Sequence, residues 1–156
     1  MLSVNLRHLE NHELRLDGEL SAAELDFGLR DEMIRAERAL RYDLTVEKMP
    51  DALLVTGSLQ LVLECQCVRC LKPFEHKLVL EDWTCHLPLA GEEKVGVKND
   101  CVDLTPFVRE DMLLEFPQHP LCKPDCGGLK KGQAPKAGGQ EVAASAAWAE
   151  LDKLKL

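Results

Sequence analysis

Apolar and polar residues alternate with a period of two along much of the chain. The alternating runs cover residues 2–6, 14–20, 40–46, 53–63 and, less regularly, 74–83. This pattern is typical of strands that bury one face and leave the other in water. Because the runs follow one another with short connections, they predict an antiparallel sheet or a small barrel.

Short helices are predicted between and after these strands. Ser21 followed by Glu24 has the form of a capping box, and it predicts a short helix that ends at Gly28. Thr105 is predicted to cap a second helix, with a proline at its first position and Pro117 as its stop. Apolar residues recur four apart along this second segment: Leu104, Val108, Met112 and Phe116.

The predicted elements divide the chain into two parts. Gly, Pro and Lys dominate residues 118–140, which predicts a loop, whereas residues 143–156 regain a helical composition. We therefore expect an α+β fold, with an antiparallel body over residues 1–117. Residues 118–156 are expected to form a Cys/Gly/Lys loop and a short C-terminal helix that packs on the body or extends from it.

Composition narrows the class of protein. Hydrophobic residues make up 46% of the 156 positions, enough for a packed core. No stretch approaches the roughly 18 uncharged apolar residues of a membrane span. Residues 1–10 also lack the basic start and apolar run of a secretory signal, so we expect a cytoplasmic protein.

Four of the seven cysteines form two closely spaced pairs. Cys67 and Cys70 make a C-x-x-C element, and Cys122 and Cys126 make a C-x-x-x-C element followed by two glycines. A tetrahedral zinc site takes four thiolate or imidazole ligands, which two such pairs commonly supply. The spacing therefore predicts a structural zinc site that joins the sheet to the C-terminal segment.

Three other interpretations of the cysteines stay open. Disulfides would suit a secreted chain, a thioredoxin-like redox pair would need a βαβ unit, and the cysteines can simply be reduced thiols without metal. Cys65 shares its strand parity with Leu63 and is expected in the core, and Cys85 and Cys101 are each interpreted as reduced thiols without metal. His119 is a possible substitute ligand.

Catalytic motifs are absent from the sequence. There is no Gly-rich phosphate loop and no G-x-S-x-G element, and the five histidines are scattered. Glu81 and Asp82 are adjacent acids, which on a regular strand point to opposite faces. We therefore expect no enzymatic activity and no small-molecule substrate.

The formal net charge of −8 is unevenly distributed. Residues 1–117 carry −10, whereas residues 118–140 carry +3. If the two cysteine pairs meet, neighbouring cations would converge there and offset the charge of four thiolates, and they could also contact phosphate. Simple solvation of a lysine-rich tail is the alternative. The candidate RNA-contacting residues are Arg69, Lys72, Lys130 and Lys131.

The order of the motifs resembles a known family. A C-x-R-C-L element begins at Cys67, and a D-L-x-P element that starts a helix follows at Asp103. That helix is predicted to end with two leucines and then Pro117. A Cys-Gly-Gly-Leu element at Cys126 and a Leu/Lys-rich end complete the order. This succession resembles the large ribosomal RNA subunit accumulation protein family, the YceD-like proteins. The resemblance covers the chain from about Leu44 onward.

The resemblance implies a function that composition alone does not show. It implies a non-enzymatic factor for the accumulation and processing of large-subunit ribosomal RNA during ribosome assembly, with that RNA or large-subunit ribosomal proteins as partners. Family members with a full cysteine set have another cysteine pair after the Gly-Leu, and this chain has no cysteine after Cys126. Other family members lack the cysteine pairs altogether. Zinc binding is therefore predicted from Cys67, Cys70, Cys122 and Cys126 themselves.

Two further functions remain as alternatives. One is a protein-interaction adaptor whose acidic surface binds basic ribosomal proteins without touching RNA. The other is a thiol-dependent redox enzyme.

Overall fold

The longest alternating run of the sequence forms the central strand of the main sheet. In a computed structural model, which describes residues 1–10 and 12–129, this strand is β5 (Ala52–Gln66). The other strands are β1 (Ser3–Asn5), β2 (Leu14–Leu20), β3 (Ile34–Arg35), β4 (Leu40–Lys48), β6 (Pro73–Pro88), β7 (Val97–Lys98) and β8 (Cys101–Asp103). Two α-helices are α1 (Ala22–Leu25) and α2 (Thr105–Leu114), and a 3-10 helix spans Leu6–Leu9.

The main sheet is antiparallel throughout and curls into a half-barrel. Its order is β2-β4-β5, with β6 on the far side of β5 and the short β3 beside the end of β5. Every second side chain of β5 is buried, as the alternation predicts. The predicted α+β class with an antiparallel sheet is confirmed, and the long hairpin of β5 and β6 is its largest unit.

A β-bulge explains why the alternation of β6 is irregular in the sequence. Leu59 pairs with Leu80 but Gly57 pairs with Trp83, so Glu81 and Asp82 together oppose a single residue of β5. The bulge shifts the buried parity of β6 by one position. Buried side chains therefore fall on even positions before it and odd positions after it, at Leu78, Trp83 and Leu87.

Gly57 permits the close approach of β4 at the same level. Its φ is +149°, and an added Cβ would lie 2.1 Å from the carbonyl oxygen of Asp43. Any other residue would clash with the backbone of the neighbouring strand, so the close approach of β4 at this position requires a glycine.

Helix α2 packs against the hydrophobic core that the main sheet also lines. Val108 and Met112 are fully buried and belong to the same core as the leucines of β4 and β5. The indole Nε1 of Trp83 donates to the carboxylate of Asp111, 2.7 Å away, and this bond ties β6 to α2. The apolar spacing in the sequence therefore identified the buried face of the helix.

The second sheet was not predicted. It has the order β1-β8-β7 and pairs the first strand of the chain with residues just before α2. β7 and β8 have only two and three residues, too few to show a period. Pairing of β1 with β8 therefore had no local signal in the sequence.

Three boundary predictions were wrong. The first run is a strand only to Asn5, whose side chain accepts a hydrogen bond from the backbone N–H of Arg7 and opens the 3-10 helix. The capping box at Ser21 is confirmed, but its helix ends before Asp26, which takes a left-handed conformation. Thr105 lies inside α2 instead of capping it, because its hydroxyl accepts from the backbone N–H of Leu2.

The division at residue 117 stays a prediction. Residues 118–129 form no helix or strand, as expected. The predicted C-terminal helix lies outside the described residues.

Candidate metal centre

The first cysteine pair lies in the loop that joins β5 to β6. The backbone N–H of Cys67 donates to the carbonyl of Lys72 (2.9 Å), and that of Leu71 donates back to Cys67 (2.8 Å). Leu71 takes a left-handed φ of 61°, which lets the chain reverse within this loop. The hairpin therefore holds Cys67 and Cys70 in one tight turn.

The second pair follows α2 and lies against this loop. The backbone N–H of Val68 donates to the carbonyl of Pro120 (2.9 Å), so the two segments are joined immediately beside both pairs. The N–H of Cys126 closes a turn onto the carbonyl of Lys123 (3.1 Å). The guanidinium of Arg69 donates to the carbonyl of Cys126 (3.0 Å) and links the loops a second time.

The four sulfur atoms form a compact cluster. All lie within 4.8 Å of one another. The Sγ atoms of Cys67 and Cys126 are 3.7 Å apart, and those of Cys70 and Cys122 are 3.6 Å apart. Ligands 2.3 Å from a tetrahedral zinc ion lie about 3.8 Å from each other. The donor set and its spacing fit a four-thiolate metal ion.

The cluster is only partly shielded from solvent. Cys67 and Cys126 are buried, whereas Cys70 and Cys122 are half-buried. All seven cysteines lie within the described residues and are free thiols. The 3.6–3.7 Å sulfur separations are well beyond the roughly 2.05 Å of a disulfide bond.

Two thiols of the cluster, Cys67 and Cys122, have pKa values shifted in opposite directions. Burial opposes ionisation of Cys67, but backbone hydrogen bonds from Cys122, Cys70 and Arg69 outweigh it and lower the pKa of Cys67 to about 6. Burial, together with hydrogen bonds to the other thiols, raises the pKa of Cys122 to about 12. A second or third negative sulfur in so small a volume is therefore favoured only when a cation lies among them.

The predicted ligands are thus brought together, whereas the predicted RNA-contacting residues are placed only in part. Arg69 and Lys72 are exposed in the loop next to the cluster, and Lys123 joins them from the second segment. Lys130 and Lys131 lie outside the described residues. The contact of Arg69 with the Cys126 carbonyl was not foreseen, because it depends on two segments that are distant in sequence.

The remaining cysteines and His119 do not belong to the cluster. Cys65 is buried in the core, as its parity predicts. Burial raises the pKa of Cys85 to about 11, so this thiol is protonated near neutral pH. The C-x-x-C element lies in a hairpin loop instead of at the start of a helix, which is unlike the thioredoxin arrangement.

Comparison with known proteins identifies the family of the chain. The profile of the family described as "Large ribosomal RNA subunit accumulation protein YceD" matches residues 55–155. The chain belongs to the YceD family. The matched region of this YceD-family protein begins within β5 and includes both cysteine pairs, and the resemblance inferred from the sequence is confirmed.

Curated relatives are known from mycobacteria. Uncharacterized proteins of Mycobacterium tuberculosis and Mycobacterium bovis are 33% identical to this YceD-family protein over 98 residues. The match covers 58% of this chain and 47% of each relative, so the chain spans about half the length of the curated relatives it matches. No solved structure matches the chain. Among the residues that the structure describes, no helix has the length and apolar character needed to cross a membrane.

Proposed function

We propose that this protein is a non-enzymatic factor that supports the accumulation and processing of large-subunit ribosomal RNA during ribosome assembly. The family match over residues 55–155 carries the proposal. The predictions of a cytoplasmic location and of no small-molecule substrate belong to the same proposal.

A structural zinc ion is the second part of the proposal. Cys67, Cys70, Cys122 and Cys126 would hold it, and the support is the fit of their sulfur separations to a tetrahedral thiolate site. When bound, the ion would supply a fixed cross-link and neutralise part of the thiolate charge. We assign it no catalytic part.

The site is placed where a cross-link has a large effect. Cys67 and Cys126 are 59 positions apart, and Cys70 and Cys122 are 52 positions apart. Closing such loops costs chain entropy, which a metal clip offsets. The two linking hydrogen bonds of Val68 and Arg69 are each worth only about 1 kcal/mol, so the segment after α2 would depend mainly on the metal.

Direct RNA contact is proposed at the cations around the cluster. Arg69 and Lys72 are exposed at the hairpin loop, and Lys130 and Lys131 follow in the chain. Arg69 already donates to a backbone carbonyl, so it would bring only its remaining N–H groups to a phosphate. The specific observation favouring the adaptor alternative is the charge of −10 carried by residues 1–117, since phosphate is repelled by such a surface.

Metal analysis tests the zinc site. We expect roughly one equivalent of zinc in the protein purified without added metal, and a loss of most of it in Cys70→Ser, because three thiolates bind more weakly than four. Cys101→Ser is the matched control, since Cys101 lies outside the cluster and should leave the zinc content unchanged. Less than about half an equivalent in the native protein, with all thiols titrating normally, would contradict the site.

The cellular function has a separate test. In cells depleted of the protein, we expect the ratio of large-subunit to small-subunit ribosomal RNA to fall, and the native chain to restore it. Restoration by Cys101→Ser but not by Cys70→Ser would connect the metal to the function. An unchanged ratio on depletion would contradict the ribosomal proposal while leaving the metal analysis standing.

A further inference from the structure

The bulge in β6 places two acidic side chains together on the surface. Glu81 and Asp82 occupy the extra position of the strand, and both are exposed. On a regular strand, adjacent side chains point to opposite faces. Here the bulge interrupts that alternation, so both carboxylates face solvent at one level of the sheet.

The C-terminal end of α2 adds negative charge beside the bulge. The last turn of α2 contains no basic residue, and the residue that caps it is Glu115. A helix C-terminus carries a partial negative charge that proteins usually balance with Lys, Arg or His. Asp111, whose carboxylate accepts from Trp83, lies one turn earlier.

These groups line one groove of about 360 Å³ between β6 and α2. Its lining includes four acidic residues, Glu81, Asp82, Asp111 and Glu115, and no basic residue. None of the four takes part in the six ion pairs found among the residues that the structure describes. By contrast, Asp43 and Glu19 on the same sheet are each paired with an arginine.

The groove also has apolar walls that face water. Leu114, at the end of α2, is 81% exposed, and Val79 of β6 is 37% exposed. Exposed apolar side chains rimmed by polar groups mark interaction sites when they share one patch, and here Val79 and Leu114 line the same groove. The combination of these two side chains with uncompensated carboxylates selects a ligand that is both cationic and apolar.

We propose that this groove is the docking site for a lysine- or arginine-bearing segment of a basic protein partner, whose apolar side chain packs between Val79 and Leu114. The proposal deepens the adaptor alternative of the proposed function and rests on it. RNA does not fit this surface, because its phosphates would meet four carboxylates and a helix C-terminus.

Binding of a synthetic peptide tests the site. A fluorescently labelled peptide of repeated Lys-Lys-Leu units is titrated with the full chain at low salt, and binding is followed by fluorescence anisotropy. Replacing Glu81 with Gln and Asp82 with Asn together should weaken binding about fivefold or more, because two charge pairs are lost. Leu114→Ser should weaken it about tenfold by removing apolar contact area.

Matched controls separate the groove from the general charge of the protein. Glu92→Gln with Glu93→Gln changes an equal, exposed pair of acids in a different part of the chain and should leave the affinity unchanged. The native protein should bind a peptide of Lys-Lys-Ser units more weakly than the Lys-Lys-Leu peptide. Leu114→Ser should bind the two peptides with equal affinity.

Several results would overturn the proposal. One is that the native protein does not bind the Lys-Lys-Leu peptide. Another is that the Glu81/Asp82 variant and the Glu92/Glu93 variant lose the same amount of peptide affinity. A third is that the native protein binds a polyuridine RNA and the Glu81/Asp82 variant does not. A clear fall in the melting temperature of Leu114→Ser without peptide would also overturn it, since the chain itself would then cover this surface. None of these results bears on the metal content or on ribosomal RNA levels.

Discussion

The loop and the bulge of the β5–β6 hairpin are built in different ways. At the loop end, side-chain chemistry dominates, because four thiols converge within 4.8 Å of one another. At the bulge, backbone geometry dominates, because Gly57 admits the neighbouring strand and two successive acids share one level of the sheet. The loop is therefore defined by its cysteine side chains, and the bulge is defined by its backbone conformation.

This difference separates two kinds of function on one pair of strands. The proposed metal ion at the cysteine cluster would close long loops and so hold the segment after α2 against the β5–β6 loop. The groove exposes Glu81, Asp82 and Leu114 to water, where these side chains add little to the stability of the folded chain. We therefore expect the cluster to contribute to stability and the groove to contribute to partner binding.

The largest expected effect is at the bulge, where Gly57→Ala would break the backbone fit. The new Cβ would meet the Asp43 carbonyl oxygen at 2.1 Å, and the strands would have to separate. We expect the free energy of unfolding to fall by more than about 3 kcal/mol in denaturant titrations.

Gly91→Ala is the control for this substitution. Gly91 also has a positive φ, of 93°, but nothing lies within 4 Å of an added Cβ. It should cost only about 1 kcal/mol, from backbone strain alone. Equal losses in the two variants would show that strand approach at Gly57 is unimportant.

The next effect concerns the loop end and the proposed metal. Chelation of the native protein should lower the free energy of unfolding by about 2–3 kcal/mol, since a ligand that binds only the folded state stabilises it. In thermal unfolding, Cys70→Ser without chelator should already be as unstable as the chelator-treated native protein. Adding chelator to this variant should not lower its stability further. A native protein that does not respond to chelator would remove the cluster's assigned contribution to stability.

The smallest effect is expected from a surface ion pair at the level of the bulge. Asp43 pairs in register with Ser58, and its carboxylate accepts a hydrogen bond from Arg15 that holds its pKa below the usual value of 3.8. A carboxylate with a lowered pKa stabilises the fold fully when the pH is above its ordinary pKa. This stabilisation is lost as the pH falls through the lowered pKa.

Between neutral pH and about pH 3, the free energy of unfolding should therefore fall slightly more in the native protein than in Asp43→Asn. Because the pair is exposed, the difference should be small and should shrink further in salt. A large difference would mean that electrostatics, and not strand approach at Gly57, holds this part of the sheet.

The sequence by itself determined the main strands and the four cysteines. Period-two alternation places one face of β5 in the core wherever that strand pairs, and two short cysteine spacings are readable without a fold. The capping box at Ser21 was equally visible, because it is made within four residues.

Only the tertiary structure decided which distant residues meet. The pairing of β1 with β8, the bond from Arg69 to the Cys126 carbonyl and the groove between β6 and α2 all join segments that carry no local signal of one another. The shifted parity of β6 was visible as an irregularity, but its meaning required Gly57 on the opposite strand. Local patterns record which face of an element avoids water, whereas contacts between distant segments are set by how the whole chain packs.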